Sequence, residues 1–259
     1  MKAIILAAGR GSRLHPYTEN YPKCLTVLGD KTLIEWQVNA LSACGISDIV
    51  LVTGYMNEML KIEGTSQIFN PKWKTTNMVE SLFCAQSEFG NDVLVSYGDI
   101  IYERRVLQSL LQSSADISVA LNSQWHELWK LRFDDPLSDA ETLKLGADGE
   151  ILEIGNVPKN ISEIESQYMG LMRFRGTGIQ AIQAARAQMF SHHRPWKEKR
   201  SAEQAYMTDL LSELIISGQP VLGIENTGGW LEIDTVRDYE KISEMFISGK
   251  IINFFDPSL

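Results

Sequence analysis

The stretch Leu6-Ala7-Ala8-Gly9-Arg10-Gly11-Ser12-Arg13-Leu14, followed by Pro16-Tyr17-Thr18 and Pro22-Lys23, constrains the fold more than any other part of the chain. It closes an apolar run that begins at Ala3, and such a run reads as a central parallel strand buried on both faces. Gly9 ends the run far short of a membrane span, and no cleavage site follows it. Glycines 9 and 11 allow a tight turn whose N–H groups approach a ligand with no Cβ in the way, and Arg13 and Lys23 bring positive charge to the same place. This is the composition of a phosphate cradle at the carboxyl end of a strand. Two familiar cradles fail on residues. A dinucleotide fingerprint needs a glycine at position 14, which is Leu14, and an immediate helix, which Pro16 disfavours; a P-loop needs Gly-Lys-Ser/Thr where the chain has Leu14-His15-Pro16.

Downstream, Leu33, Val38 and Leu41 recur at helical spacing as far as Gly45, and residues 48–53 make a second strand closed by Gly54. Strand, helix, strand in this span is a βαβ unit. The alternation continues with a helix over 78–87, a strand over 92–97, a helix over 106–113 and a strand over 116–121. It predicts an α/β fold: a Rossmann-like mixed, mainly parallel sheet flanked by helices, with ligands at the carboxyl ends of its strands. From Ser123 the pattern loosens. Short pieces at 142–145, 151–154 and 168–174 predict a small antiparallel β insertion. Helices at 179–189 and 208–216, strands at 221–224 and 229–233, and a helix over 236–247 complete the chain. With no repeat, low-complexity tract or long Gly/Ser linker, residues 1–259 read as one domain.

Composition narrows the partners. Across 259 residues, Lys+Arg 24 against Asp+Glu 33 leaves a net charge of −9, which disfavours nucleic acid and anionic membranes. The charge is uneven: residues 1–31 hold five basic against two acidic side chains, and residues 134–166 nine acidic against two basic. Cys24, Cys44 and Cys84 are odd in number, widely separated and without metal-site spacing, which predicts a reduced, cytoplasmic protein. His192-His193 lacks a third ligand and predicts no metal site. The apolar Ile251-Ile252-Asn253-Phe254-Phe255 predicts a packed tail or a homodimer contact.

The glycine-rich segment resembles the Leu-Ala-Ala-Gly-x-Gly-Ser/Thr-Arg-Leu, Pro-x-Thr and Pro-Lys pattern of the nucleoside-diphosphate-sugar pyrophosphorylase superfamily of nucleotidyltransferases, and every element of it is present. The resemblance extends through Gly98-Asp99 to Glu232-Ile233-Asp234-Thr235. Asn70-Pro71 and Thr75-Thr76-Asn77-Met78-Val79-Glu80-Ser81 look most like the small bacterial cytidylyltransferases acting on choline phosphate, 2-aminoethylphosphonate or phosphoglutamine. Trp125-His126-Glu127-Leu128-Trp129 and Asp139-Ala140-Glu141-Thr142-Leu143-Lys144 are most similar to the phosphoglutamine members.

This resemblance implies the nucleotide-diphospho-sugar transferase fold, with residues 1–122 binding the nucleotide and 123–259 the acceptor. It implies transfer of the cytidylyl group of CTP to a small phosphorylated acceptor, giving CDP-X and pyrophosphate, in surface polysaccharide or capsule modification. A phosphate monoester is largely a dianion at pH 7 and needs no general base, so the work is placement and charge neutralisation. Leu6, Ala7, Ala8, Gly9, Gly11, Ser12, Arg13, Lys23, Asn77, Ser81 and Gly98 are the implied nucleotide contacts. Arg13 is assigned to the β- and γ-phosphates, and Lys23 to the α-phosphate and the incoming phosphate. Asp99 and Asp234 are the implied Mg²⁺ ligands, with helix capping the competing role for Asp234; Asn77 is equally well read as an N-cap.

For the acceptor, Trp125, Trp129, Tyr168 and Trp230 supply aromatic faces, each also readable as core packing, with Glu127 for an amine and Arg132 as a fork for a carboxylate. The Glu-Lys-Pro of sugar-specific relatives is replaced by Glu153-Ile154-Gly155-Asn156-Val157-Pro158-Lys159, leaving Lys144 or Lys159 as substitutes or none. Two other readings stay open: a sugar-1-phosphate nucleotidyltransferase using UTP or dTTP, and a non-catalytic nucleotide-sensing subunit. Retention of Arg13, Lys23, Asp99 and Asp234 together favours catalysis over sensing.

Overall fold

The computed structural model describes residues 1–191 and 200–258, so the His192-His193 pair lies outside the described residues. The first strand, β1 (Lys2–Ala7), runs through the middle of a seven-stranded sheet. Ile4 enters the core on one face and Ile5 the core on the other, which accounts for the unbroken apolar run. A two-strand ribbon, β2 (Val27–Leu28) and β3 (Lys31–Thr32), leads into α1 (Leu33–Ala43), whose start is a capping box between Thr32 and Glu35. Next come β4 (Ile49–Thr53), β5 (Thr65–Phe69), α2 (Met78–Cys84), β6 (Asp92–Tyr97), β7 (Ile100–Tyr102), α3 (Arg104–Gln112) and β8 (Ile117–Asn122). The rest comprises α4 (Trp125–Arg132), β9 (Leu143–Leu145), β10 (Ile151–Ile154), β11 (Gln167–Arg175), α5 (Thr177–Ser191), α6 (Met207–Ile216), β12 (Leu222–Asn226), β13 (Trp230–Glu232) and α7 (Val236–Ser248).

The sheet order is β12-β8-β11-β6-β1-β4-β5, and β11 alone runs antiparallel to its neighbours. From β1 the chain moves outward through β4 and β5, then crosses back to β6 on the other flank of β1. That reversal opens a crevice at the carboxyl ends of β1 and β6, where the glycine-rich loop and Gly98-Asp99 both emerge.

One expectation needs correction, and two elements, α4 and β5, are additional to those expected. The piece at 168–174 is not part of a peripheral insertion; β11 sits inside the main sheet between β6 and β8, while β9 and β10 form the separate antiparallel pair. The polar-looking stretch after Ser123 contains α4, whose Trp125, Leu128, Trp129 and Arg132 form its buried side. The exposed strand β5 was not expected from its residues, because it is an edge strand with no buried positions to reveal it. The apolar tail packs on its own chain, with Phe255 meeting the Trp36 ring edge-on at 5.5 Å. No helix among the described residues is long and apolar enough to cross a membrane.

Candidate active site

The loop after β1 is built around Lys23. Gly11 has φ +66°, and a Cβ there would stand 2.8 Å from the Cβ of Lys23, so only glycine allows the Lys23 stem to lie against the loop. Thr18 Oγ1 donates to the Gly11 carbonyl at 2.8 Å and pins the turn. At Gly9 a Cβ would meet nothing within 4 Å; its face opens into the cleft, leaving room for a ligand to reach the backbone. Ser12 and Gly11 do not line that cleft: Ser12 opens the short 3₁₀ turn that carries Arg13.

Lys23 Nζ lies 2.6 Å from Asp99 Oδ2 and 2.6 Å from Asp234 Oδ1. Asp99 follows Gly98 at the end of β6, and Asp234 follows β13. Arg13 Nη2 reaches the other oxygen of Asp234 at 2.7 Å from the solvent side, its own side chain 68% exposed. Burial opposes the charge on Lys23, but the two carboxylates outweigh it and push its pKa up to about 12. Burial likewise opposes ionisation of Asp234, and Lys23 and Arg13 nonetheless hold it below the usual carboxylate range. Lys23 is therefore a permanent cation here, not a base.

Two hard carboxylates converging on one buried point form a donor set that suits Mg²⁺. No group of three His, Cys, Asp or Glu side chains gathers among the described residues, so phosphate oxygens and water would complete the coordination. The competing cap role for Asp234 belongs instead to Thr235, whose Oγ1 accepts from Asp238 N, leaving the Asp234 carboxylate to Lys23 and Arg13.

On one side of this cluster lies a cleft formed by Leu6, Ala7, Ala8, Gly9, Lys23 and the start of α2. Asn77 and Ser81 both line it. Asn77 is also the N-cap of α2, its side chain accepting from Met78 N at 2.9 Å, and Ser81 Oγ accepts from Asn70 Nδ2 at 3.1 Å. Trp73, Tyr97 and Cys24 complete the wall, none of them anticipated. On the other side a second cavity shares Tyr97 and Met78 with the first and is walled by Trp129, Tyr168, Trp230, Asp139, Glu141, Glu232 and Asp234. Trp129 and Trp230 stack with centroids 6.2 Å apart and planes 10° apart. Their indole nitrogens are buried with no partner among the described residues. Burial pushes Glu232 up to about 7 although Arg132 pulls it down.

A β-bulge in β11 between Tyr168 and Met172 aims Tyr168 into this cavity. Gly170 within it has φ +73°, and a Cβ there would fall 2.7 Å from the Tyr97 ring. The only cation lining this cavity among the described residues is Arg13.

Three expected acceptor contacts are placed elsewhere. Glu127 projects from the exposed side of α4, its side chain 60% exposed and paired with Lys130 at 2.9 Å. Arg132 is 1% exposed and committed to the interior, with Nη2 2.8 Å from Glu232 and Nε 3.1 Å from Asp238. Trp125 is buried behind Trp129, edge-on to it at 6.0 Å. Lys144 and Lys159 are exposed and line neither cavity. Helical periodicity separates the two sides of α4, so recognising 125–132 as a helix would have separated Trp129 from Glu127. Asp139 and Glu141 carry no such signal, because a loop brings them in.

The family model of the MobA-like NTP transferase domain matches residues 3–206. A CTP:phosphoglutamine cytidylyltransferase of Campylobacter jejuni subsp. jejuni serotype O:2 is 36% identical over 251 residues, 93% of this chain and 98% of that one. A choline-phosphate cytidylyltransferase of Streptococcus pneumoniae is 38% identical over 118 residues, 44% of this chain and 52% of that one. Among solved structures, the CTP:phosphocholine cytidylyltransferase of Streptococcus pneumoniae superposes with a TM-score of 0.70 at 24% identity, over 94% of this chain and 98% of that one. A glucose-1-phosphate thymidylyltransferase structure from Bacillus anthracis gives 0.72 at 22% identity over 95% of each chain. At those identities the structural matches speak to the fold.

Proposed function

The chain belongs to the family of MobA-like NTP transferase domains, and on that premise we propose that it is a Mg²⁺-dependent cytidylyltransferase. It joins CTP to a small phosphorylated acceptor bearing a positive charge, in the service of a surface polysaccharide or capsule. Phosphoglutamine and phosphocholine are the acceptor types that the names of its relatives supply. The observation that carries the reading is the Lys23, Asp99 and Asp234 cluster between a glycine-floored cleft and an acidic, indole-walled cavity.

The nucleotide lies over Gly9 with its base toward Asn77 and Ser81. The acceptor's cationic end sits against Trp129 and Trp230 with Asp139 and Glu141 facing it, and its phosphate points back at Lys23. One acceptor phosphate oxygen forms a bond to the α-phosphorus as the bond to the β-phosphate oxygen breaks, yielding CDP-X and pyrophosphate. No proton moves in this step, since the acceptor phosphate is already ionised. Lys23 and Arg13 neutralise the two approaching anions. Mg²⁺ held by Asp99 and Asp234 would supply charge stabilisation to the triphosphate and the departing pyrophosphate.

The direct test is pyrophosphate release from CTP, UTP, ATP and GTP against phosphocholine, phosphoglutamine, 2-aminoethylphosphonate and glucose-1-phosphate. Release with CTP and a cationic acceptor is expected. Preference for glucose-1-phosphate, or no release with any pair, would overturn the reading.

A further inference from the structure

The guanidinium of Arg132 touches three parts of the site without lining any of it. Its Nη2 pairs with Glu232 at 2.8 Å, on the strand that leads to Asp234. Its Nε pairs with Asp238 Oδ1 at 3.1 Å. Asp238, fully buried, accepts from the backbone N–H of Asp234 at 3.1 Å and of Thr235 at 2.8 Å through its other oxygen. One carboxylate thus holds the backbone turn that presents Asp234, and Arg132 holds that carboxylate. The guanidinium carbon lies over the Trp129 ring, 4.9 Å from its centroid, and that ring stacks on Trp230.

Arg132 is the only described residue that touches Glu232, Asp238 and Trp129 together in these ion pairs and ring contacts. We infer that Arg132 is a positioning residue that sets Asp234 and the indole wall in register, so that an acceptor seated on Trp129 and Trp230 has its phosphate aimed at Lys23. The planar fork suits the task, because Glu232, both oxygens of Asp238 and the Trp129 ring are met by one group. An ammonium supplies the charge as a compact point but not the two-point pairing by which Nε and Nη2 meet both oxygens of Asp238.

The inference rests on the proposed reaction. Its test is steady-state kinetics of Arg132→Lys and Asp238→Asn, with near-ultraviolet circular dichroism of the tryptophans. A displaced Asp234 and indole pair costs kcat roughly 100-fold and raises the acceptor KM, because misplacement of reacting groups by about 1 Å carries a loss of that order. The KM for CTP rises less than the KM for the acceptor. Folded Arg132→Lys protein with wild-type kcat and acceptor KM, merely melting at a lower temperature, would overturn the assignment; so would a rise confined to the KM for CTP. If Arg132→Lys does not fold, Asp238→Asn decides by the same criteria. Should the wild-type protein release no pyrophosphate from any pair, the proposed reaction fails separately. The tryptophan spectrum then decides: a changed signal in Arg132→Lys upholds the positioning role and an unchanged one removes it.

Discussion

Lys23 Nζ and Asp234 Oδ1 stand 2.6 Å apart in the interior, and Asp99 meets the same ammonium at 2.6 Å, so in the free protein the lysine occupies the point on which both carboxylates converge. On the proposed reading, a divalent ion would compete with Lys23 for that point until phosphate draws the lysine away. In Lys23→Ala Asp99 loses its cation and Asp234 keeps only the solvent-side Arg13, at a cost of about 3 kcal/mol. Millimolar Mg²⁺ should raise the melting temperature of nucleotide-free Lys23→Ala and leave nucleotide-free wild type unchanged. An equal rise in both would show that Lys23 does not hold the site.

Asp99→Asn and Asp234→Asn should each keep the fold and lower Mg²⁺-dependent turnover at least ~100-fold, because charge stabilisation by a bound metal is worth several kcal/mol. Chelation with EDTA should produce the same loss in wild type and be reversed by added Mg²⁺. Either variant turning over normally would remove that residue from the metal site.

The rate should rise with pH through about 6, as the acceptor phosphate takes its second charge, and stay level to pH 9. Lys23 does not contribute a basic limb in this range: its pKa is raised to about 12 by Asp99 and Asp234, so it stays protonated throughout it. A pH–rate profile falling between pH 8 and 10 in parallel with Lys23 deprotonation would contradict the pairing.

Asp139 lines the cavity proposed for the acceptor. Asp139→Asn should raise the KM for a cationic acceptor about tenfold, as expected for losing one attraction of ~1–2 kcal/mol at a partly solvated distance. The KM for CTP serves as the internal control and should not move. An unchanged acceptor KM would place the ammonium elsewhere.

Glu127→Ala should be silent. Its carboxylate is exposed and pairs with Lys130 one helical turn away, an arrangement worth at most ~0.5 kcal/mol. Acceptor KM and melting temperature are the readouts, and a several-fold rise in KM would return Glu127 to the site.

Residues 2–23 were legible because their chemistry is local. An unbroken apolar run dictates a doubly buried strand, and glycines 9 and 11 with Arg13 and Lys23 specify a basic turn at its end within one short stretch of chain. The pairing of Asp99 with Asp234 rests on a motif resemblance, since nothing in the pattern of residues 100–233 brings them together. Their meeting depends on β7 and β13 pairing antiparallel, with Ile100 opposite Glu232, and on Ile233 N donating to Asp99 O at 3.0 Å. For the acceptor cavity, residue type alone misled. Arg132 and Glu127 have the charges an amino-acid-like ligand needs, yet one is turned inward to Glu232 and Asp238 and the other outward to Lys130. The sequence by itself determined the strand, the turn and the charge gathered there, because those follow from neighbours along the chain. Only the tertiary structure decided which side chains face the cavity, because helix phase, the bulge in β11 and the packing of α4 against α7 set the direction of each one.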